Sequence, residues 1–130
     1  MNPRKFDFNE QGLLVPAGAI PAALSDIKQH FVDEFPNSKT RVRLFSNLEK
    51  YVNQLQDEVF PWFEVWVDGS FVTKKEDPKD VDVVTLLDYQ VYNLRKLKLE
   101  KFYSHSLEKK GLMPILYLKL FRLLEVFPKR

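Results

Sequence analysis

Apolar residues recur at Leu44, Leu48, Tyr51, Val52, Leu55 and Val59, with polar residues between them. Spacings of three and four put these side chains on one stripe of a 3.6-residue turn, which predicts a long helix packed on a sheet. Phe63 to Val67 and Val81 to Leu87 follow a different pattern, rich in aromatic and β-branched residues, and both read as strands. The loop between them holds Gly69 and Asp77-Pro78. Ahead of the long helix, Ser25 is the expected N-cap of a short helix through Ile27, Phe31 and Phe35, ended by Pro36. Asp88 is placed to cap a third helix through Val91, Leu94, Leu97 and Phe102, with Gly111 ending the connection. Leu112 to Leu118 fits a last strand and a buried helix equally well. At about residues 1–22, Pro16, Gly18 and Pro21 mark an extended arm carrying Leu13, Leu14 and Val15. The sum is a mixed α/β protein whose chemistry belongs near its two central strands.

With 130 residues, 45% of them apolar and 14% aromatic, the chain can build one core, so a single domain over residues 1–130 is expected. Twenty Lys and Arg against 18 Asp and Glu leave a formal charge of +2. That balance argues against non-specific coating of nucleic acid, which enters only as an acceptor. There is no cysteine, which rules out a disulfide framework and a cysteine-rich zinc site. "MNPRKFDFNEQG" lacks the apolar region of a secretion signal, and "GLMPILYLKLFRLLEVF" is broken by Lys119, Arg122 and Glu125. No membrane association and a cytoplasmic location are therefore expected. His30 and His105 show no metal-ligand spacing and read as surface or half-buried residues.

Asp80 and Asp82 flank Val81 at the head of an apolar strand. Alternation puts both carboxylates on one face, about 6.6 Å apart along the chain, where they repel each other unless a cation or a proton intervenes. Such a pair suits Mg²⁺ (or Mn²⁺), which takes oxygen ligands from one or two carboxylates and completes its shell with substrate phosphates. Gly69 lets backbone approach a ligand, the N–H groups from Ser70 to Val72 are placed to hold phosphate oxygens, and Lys74 and Lys75 add positive charge. Each part alone is ordinary: an Asp pair on a solvated strand, a turn, two lysines in a loop. Their order is the specific signal. Arg41 and Arg43 read as a solvated basic turn, and Trp62 and Trp66 as core or core-edge residues that share a face with Glu64.

"VDGSFVTKKEDPKDVDVV" resembles the signature of the polymerase-beta-like nucleotidyltransferases, a hydrophobic strand ending in Gly-Ser and then Asp-x-Asp on the next strand. Together with "GLLVPAGAIPAALSDIKQHFVDEFPNSKTRVRLFSNLEKYV", it resembles small bacterial and phage proteins of that superfamily that are described by a domain of unknown function, over roughly residues 12–110. The resemblance implies a short mixed β-sheet flanked by helices, Gly69 and Ser70 on nucleotide phosphates, and Asp80 and Asp82 as catalytic metal ligands. It implies a nucleoside triphosphate as substrate, transfer of a nucleoside monophosphate to a hydroxyl of a protein, RNA or small molecule, and a toxin-antitoxin or phage-defence setting with a toxin as protein partner. Active members carry a third carboxylate on a later strand, and "GLMPILYL" contains none. Asp88 comes too soon and Glu125 too late. Its loss should weaken the metal that activates the acceptor more than the one on the phosphates. If the Leu112 codon ends in G, one frame step back over Met113-Pro114 reads Asp-Ala, so a recoded end stands beside plain divergence. The competing expectation is a catalytically silent module of the same fold, using "ILYLKLFRLLEVF" as a protein-binding surface.

Overall fold

The computed structural model describes residues 7–15, 20–58, 63–102 and 111–119. In chain order the elements are β1 (Asp7–Phe8), β2 (Leu14–Val15), α1 (Leu24–Lys28), a π-helical turn (Gln29–Asp33) and α2 (Arg41–Glu58). There follow β3 (Glu64–Asp68), a 3-10 turn (Ser70–Val72), β4 (Val81–Asp88), α3 (Tyr89–Leu94), α4 (Lys96–Phe102) and β5 (Leu112–Lys119).

β4 is the centre of a three-stranded mixed sheet in the order β3-β4-β5, antiparallel to β3 and parallel to β5. Its residues alternate between two environments. Val81, Val83, Thr85 and Leu87 are buried, whereas Asp82, Val84, Leu86 and Asp88 are only partly covered. The buried set meets the apolar stripe of α2, where Leu44, Phe45, Leu48, Tyr51 and Leu55 are buried as the helical spacing predicts. A polar contact crosses this core: Tyr51 Oη and Thr85 Oγ1 lie 2.7 Å apart and share a hydrogen bond. Breaking such a pair leaves a dry polar atom, at a cost of about 1–3 kcal/mol.

Four expectations need correction, and one open alternative is settled. The arm is a hairpin, with Asp7 and Phe8 paired to Val15 and Leu14; an Asx turn at Asn9, whose Oδ1 accepts from Gln11 N and Leu13 N, closes it. The first helix starts at Leu24 and not after Ser25, because the Asp26 carboxylate reaches back to Ala23 N at 2.9 Å. The third helix is two helices, broken at Arg95, where φ −118° and ψ 19° leave the helical region. The break changes which residues face the core: Val91 and Leu99 are buried, and Leu94 and Leu97 are exposed. Of the two forms open to the segment from Leu112, it takes the strand, because it finds a partner for every residue along β4. His30 is buried, with Nδ1 3.6 Å from Glu34 Oε2. Val59, Trp62 and His105 lie outside the described residues. Among the described residues, no helix is long and apolar enough to cross a membrane.

Gly111 sets the entry into β5. Its φ is +79°, its carbonyl accepts from Val81 N at 2.8 Å, and a Cβ there would run into Leu44 Cδ2. A side chain at this point would push the parallel strand off the helix.

Candidate functional site

The loop between β3 and β4 is held from below by one buried cation. Arg41, at the start of α2, is entirely buried. Its Nη1 donates to Phe31 O at 2.8 Å and Phe71 O at 2.7 Å, and its Nη2 to Thr73 O at 2.8 Å and Lys75 O at 2.5 Å. The guanidinium carbon lies 3.8 Å from the centroid of the Phe35 ring and 5.3 Å from that of Phe71. Burial lowers the Arg41 pKa to about 10 against the opposing pull of Glu76 and Asp77, so it stays charged at neutral pH. The expectation of a solvated basic turn therefore fails at Arg41 and holds at Arg43, which is exposed. A planar fork of donors can satisfy four carbonyls at once, which a lysine cannot. Asp77 adds a second tie, its Oδ1 accepting from Lys39 N at 2.6 Å and Ser38 Oγ at 3.2 Å ahead of α2.

On this base the Gly-Ser turn is bent tightly against β4. Gly69 has φ +84° and ψ −166°, a conformation open only to glycine. A Cβ at Gly69 would lie 2.7 Å from Asp82 Oδ2 and 2.9 Å from Asp82 Cγ. Backbone geometry thus strains every other residue here, and a side chain would in addition have to displace the Asp82 carboxylate. Ser70 begins a 3-10 turn in which Val72 N donates to Gly69 O at 3.2 Å and Thr73 N to Ser70 O at 3.1 Å. The Ser70 and Phe71 N–H groups precede the first turn-closing bond, as at any helix start. The Val72 N–H, expected as a further phosphate donor, is committed to that bond.

Asp80 precedes β4 by one residue and Asp82 is its second. A third carboxylate joins them. Asp68, the last residue of β3, stands opposite Asp82 in the antiparallel register, hence on the same face. The Asp82 pKa is raised, first by burial and then by the charges of Asp80 and Asp68. The sequence places Asp68 beside Gly69, but only the strand register shows that it faces Asp82.

The next same-face pair along the two strands is Trp66 with Val84. Trp66 is 51% exposed, so it is neither core nor core-edge, and it stands on the Asp82 side of the sheet. Lys74 and Lys75 lie further along the loop with exposed side chains. The fold uses their backbones: Lys74 N donates to Gly12 O at 2.9 Å, and Lys75 O accepts from Arg41. Gly69, Asp68, Asp80 and Asp82 are thus brought together, and the two lysines are tied to the hairpin and to Arg41.

Residues 6–121 match a family described as a family of unknown function (DUF6932). The chain belongs to that family. No curated protein and no solved structure matches it. The chemistry of the DUF6932 chain therefore has to be read from its own side chains. Carboxylates under mutual repulsion suit a hard divalent cation, which would neutralise the charge that raises the Asp82 pKa. Among the described residues, no group of three or more His, Cys, Asp or Glu is arranged to hold a metal ion by itself. Asp80 and Asp82 would thus hold Mg²⁺ or Mn²⁺ only with further oxygen ligands, such as those of a phosphate chain.

Proposed function

We propose that the protein binds nucleoside triphosphates with Mg²⁺ or Mn²⁺ at Asp80 and Asp82, in the manner of a polymerase-beta-like nucleotidyltransferase. The supporting observation is the fit of Gly69 against Asp82, where an added Cβ would sit 2.7 Å from the carboxylate. Bare backbone beside a metal-binding carboxylate brings phosphate and cation to one place. Gly69 and Ser70 would take phosphate oxygens, with Lys74 and Lys75 contributing long-range positive charge. An active protein would transfer a nucleoside monophosphate to a hydroxyl of a protein, RNA or small molecule in the cytoplasm and release pyrophosphate. A partner toxin is one such acceptor.

A second possibility is a silent module of the same fold that acts through a protein partner. It is favoured by the register of β5, where Met113 pairs with Asp82 and no residue from Leu112 to Lys119 is acidic. Calorimetric titration of ATP, GTP, CTP and UTP, with and without Mg²⁺, separates the two. Metal-dependent binding that disappears in Asp82→Ala is the expected result. Absence of binding to all four nucleotides in the wild type would favour the silent module, and pull-down of a partner would then follow.

A further inference from the structure

The open face of the sheet carries an aromatic ring that the fold leaves uncovered. Trp66 is 51% exposed, whereas Val65 and Val67 on either side of it join the packing against the core. Its exposure thus follows from regular strand alternation and not from a frayed end. Asp68 is the next residue on the same face and pairs with Asp82. Strand rise puts the two steps about 6.8 Å apart.

A ligand that offers a flat ring at one end and a metal-bound phosphate chain at the other would engage both. The carboxylates repel an anion that arrives without a cation, so the triphosphate of the nucleotide site proposed above would enter as a metal chelate. A nucleotide has these two parts, joined by a sugar of matching length. We infer that Trp66 is the platform on which the base of the bound nucleotide stacks, an assignment that rests on the nucleotide site proposed above. Stacking on an indole tolerates every base, since each presents a π face. Weak discrimination among the four nucleotides follows, with the larger purines favoured by their area.

The test compares Mg²⁺-ATP with Mg²⁺-tripolyphosphate, which has the same anionic chain and no base, by calorimetry on wild type, Trp66→Ala and Trp66→Phe. Trp66→Ala is expected to weaken ATP binding by roughly ten-fold while tripolyphosphate binding is unchanged, and Trp66→Phe is expected to restore most of the loss. Wild-type affinity for ATP in Trp66→Ala would overturn the stacking role and leave the phosphate site standing. Equal weakening of both ligands would make Trp66 a structural residue. A wild type that binds neither ligand removes the nucleotide site, and the stacking role with it.

Discussion

Arg41 and Asp82 both adjoin the loop between β3 and β4, and each carries a charge out of bulk water, but their neighbours differ in kind. Arg41 is surrounded by fixed dipoles of the right sign, four carbonyls and two aromatic rings. Asp82 is surrounded by charges of its own sign, from Asp80 and Asp68, and by the bare backbone of Gly69. The first arrangement pairs both terminal nitrogens of the guanidinium without anything added, and leaves only the buried Nε without an acceptor. The second is improved by a cation. A buried charge held by four carbonyls acts as a structural joint, and the proposed ligand site lies where a half-buried carboxylate stands beside like charges.

The largest effect should come from breaking the Arg41 side. Arg41→Met removes the donors of four carbonyls in one step and is expected to destabilise the fold by about 3 kcal/mol or more, read as a shift in urea midpoint. Stability near that of the wild type would show that the loop is held by other contacts. Next in size is Gly69→Ala, which forces a Cβ towards Asp82 at a backbone angle reserved for glycine. A loss of about 2 kcal/mol is expected. Since the added methyl displaces the carboxylate, Mg²⁺-dependent nucleotide binding should fall with it, and retained binding would place the phosphates elsewhere.

Smallest, and of opposite sign, is Asp82→Asn. The folded state holds the Asp82 proton more tightly than the unfolded chain does, because burial and two like charges oppose ionisation. The resulting penalty is full above the folded pKa and disappears below the unfolded value of about 3.9. At neutral pH without divalent cations, Asp82→Asn should therefore be at least as stable as the wild type. Its advantage should fade as the pH falls through the carboxylate range. Thermal unfolding of both proteins at several pH values checks this, and an advantage that grows on acidification would contradict it.

The half of the molecule that repeats was legible from the sequence. The stripe from Leu44 to Leu55 foretells α2, the Val-rich run foretells β4, and Gly69 and Asp82 stand in an order that predicts their meeting. What was not legible depended on register or on a single broken turn. Asp68 and Trp66 join the Asp82 face only through the pairing of β3 with β4, which the composition of neither strand specifies. Arg41 reads as surface because arginine is almost never fully buried without partners, and its partners are backbone carbonyls, which leave no mark in a sequence. Val91, Leu94 and Leu97 fit one helix by spacing, but the turn at Arg95 divides it and leaves Leu94 and Leu97 exposed. The strand at Leu112 was ambiguous because its partner, and not its own pattern, decides its form.

The parallel pairing of β4 with β5 has a bearing on how the chain is made. Val81 N bonds to Gly111 O, a contact between distant parts of the chain, so β4 emerges and waits before its second neighbour exists. Closing so large a loop is slow compared with forming the β3-β4 hairpin. In that interval a Val- and Leu-rich strand presents an open edge, the usual starting point for pairing between molecules. Asp80 just before β4, Asp82 near its start and Asp88 at its end stand where charged gatekeepers oppose such pairing. Asp80 and Asp82, which crowd each other in the finished protein, would thus serve the nascent one as well.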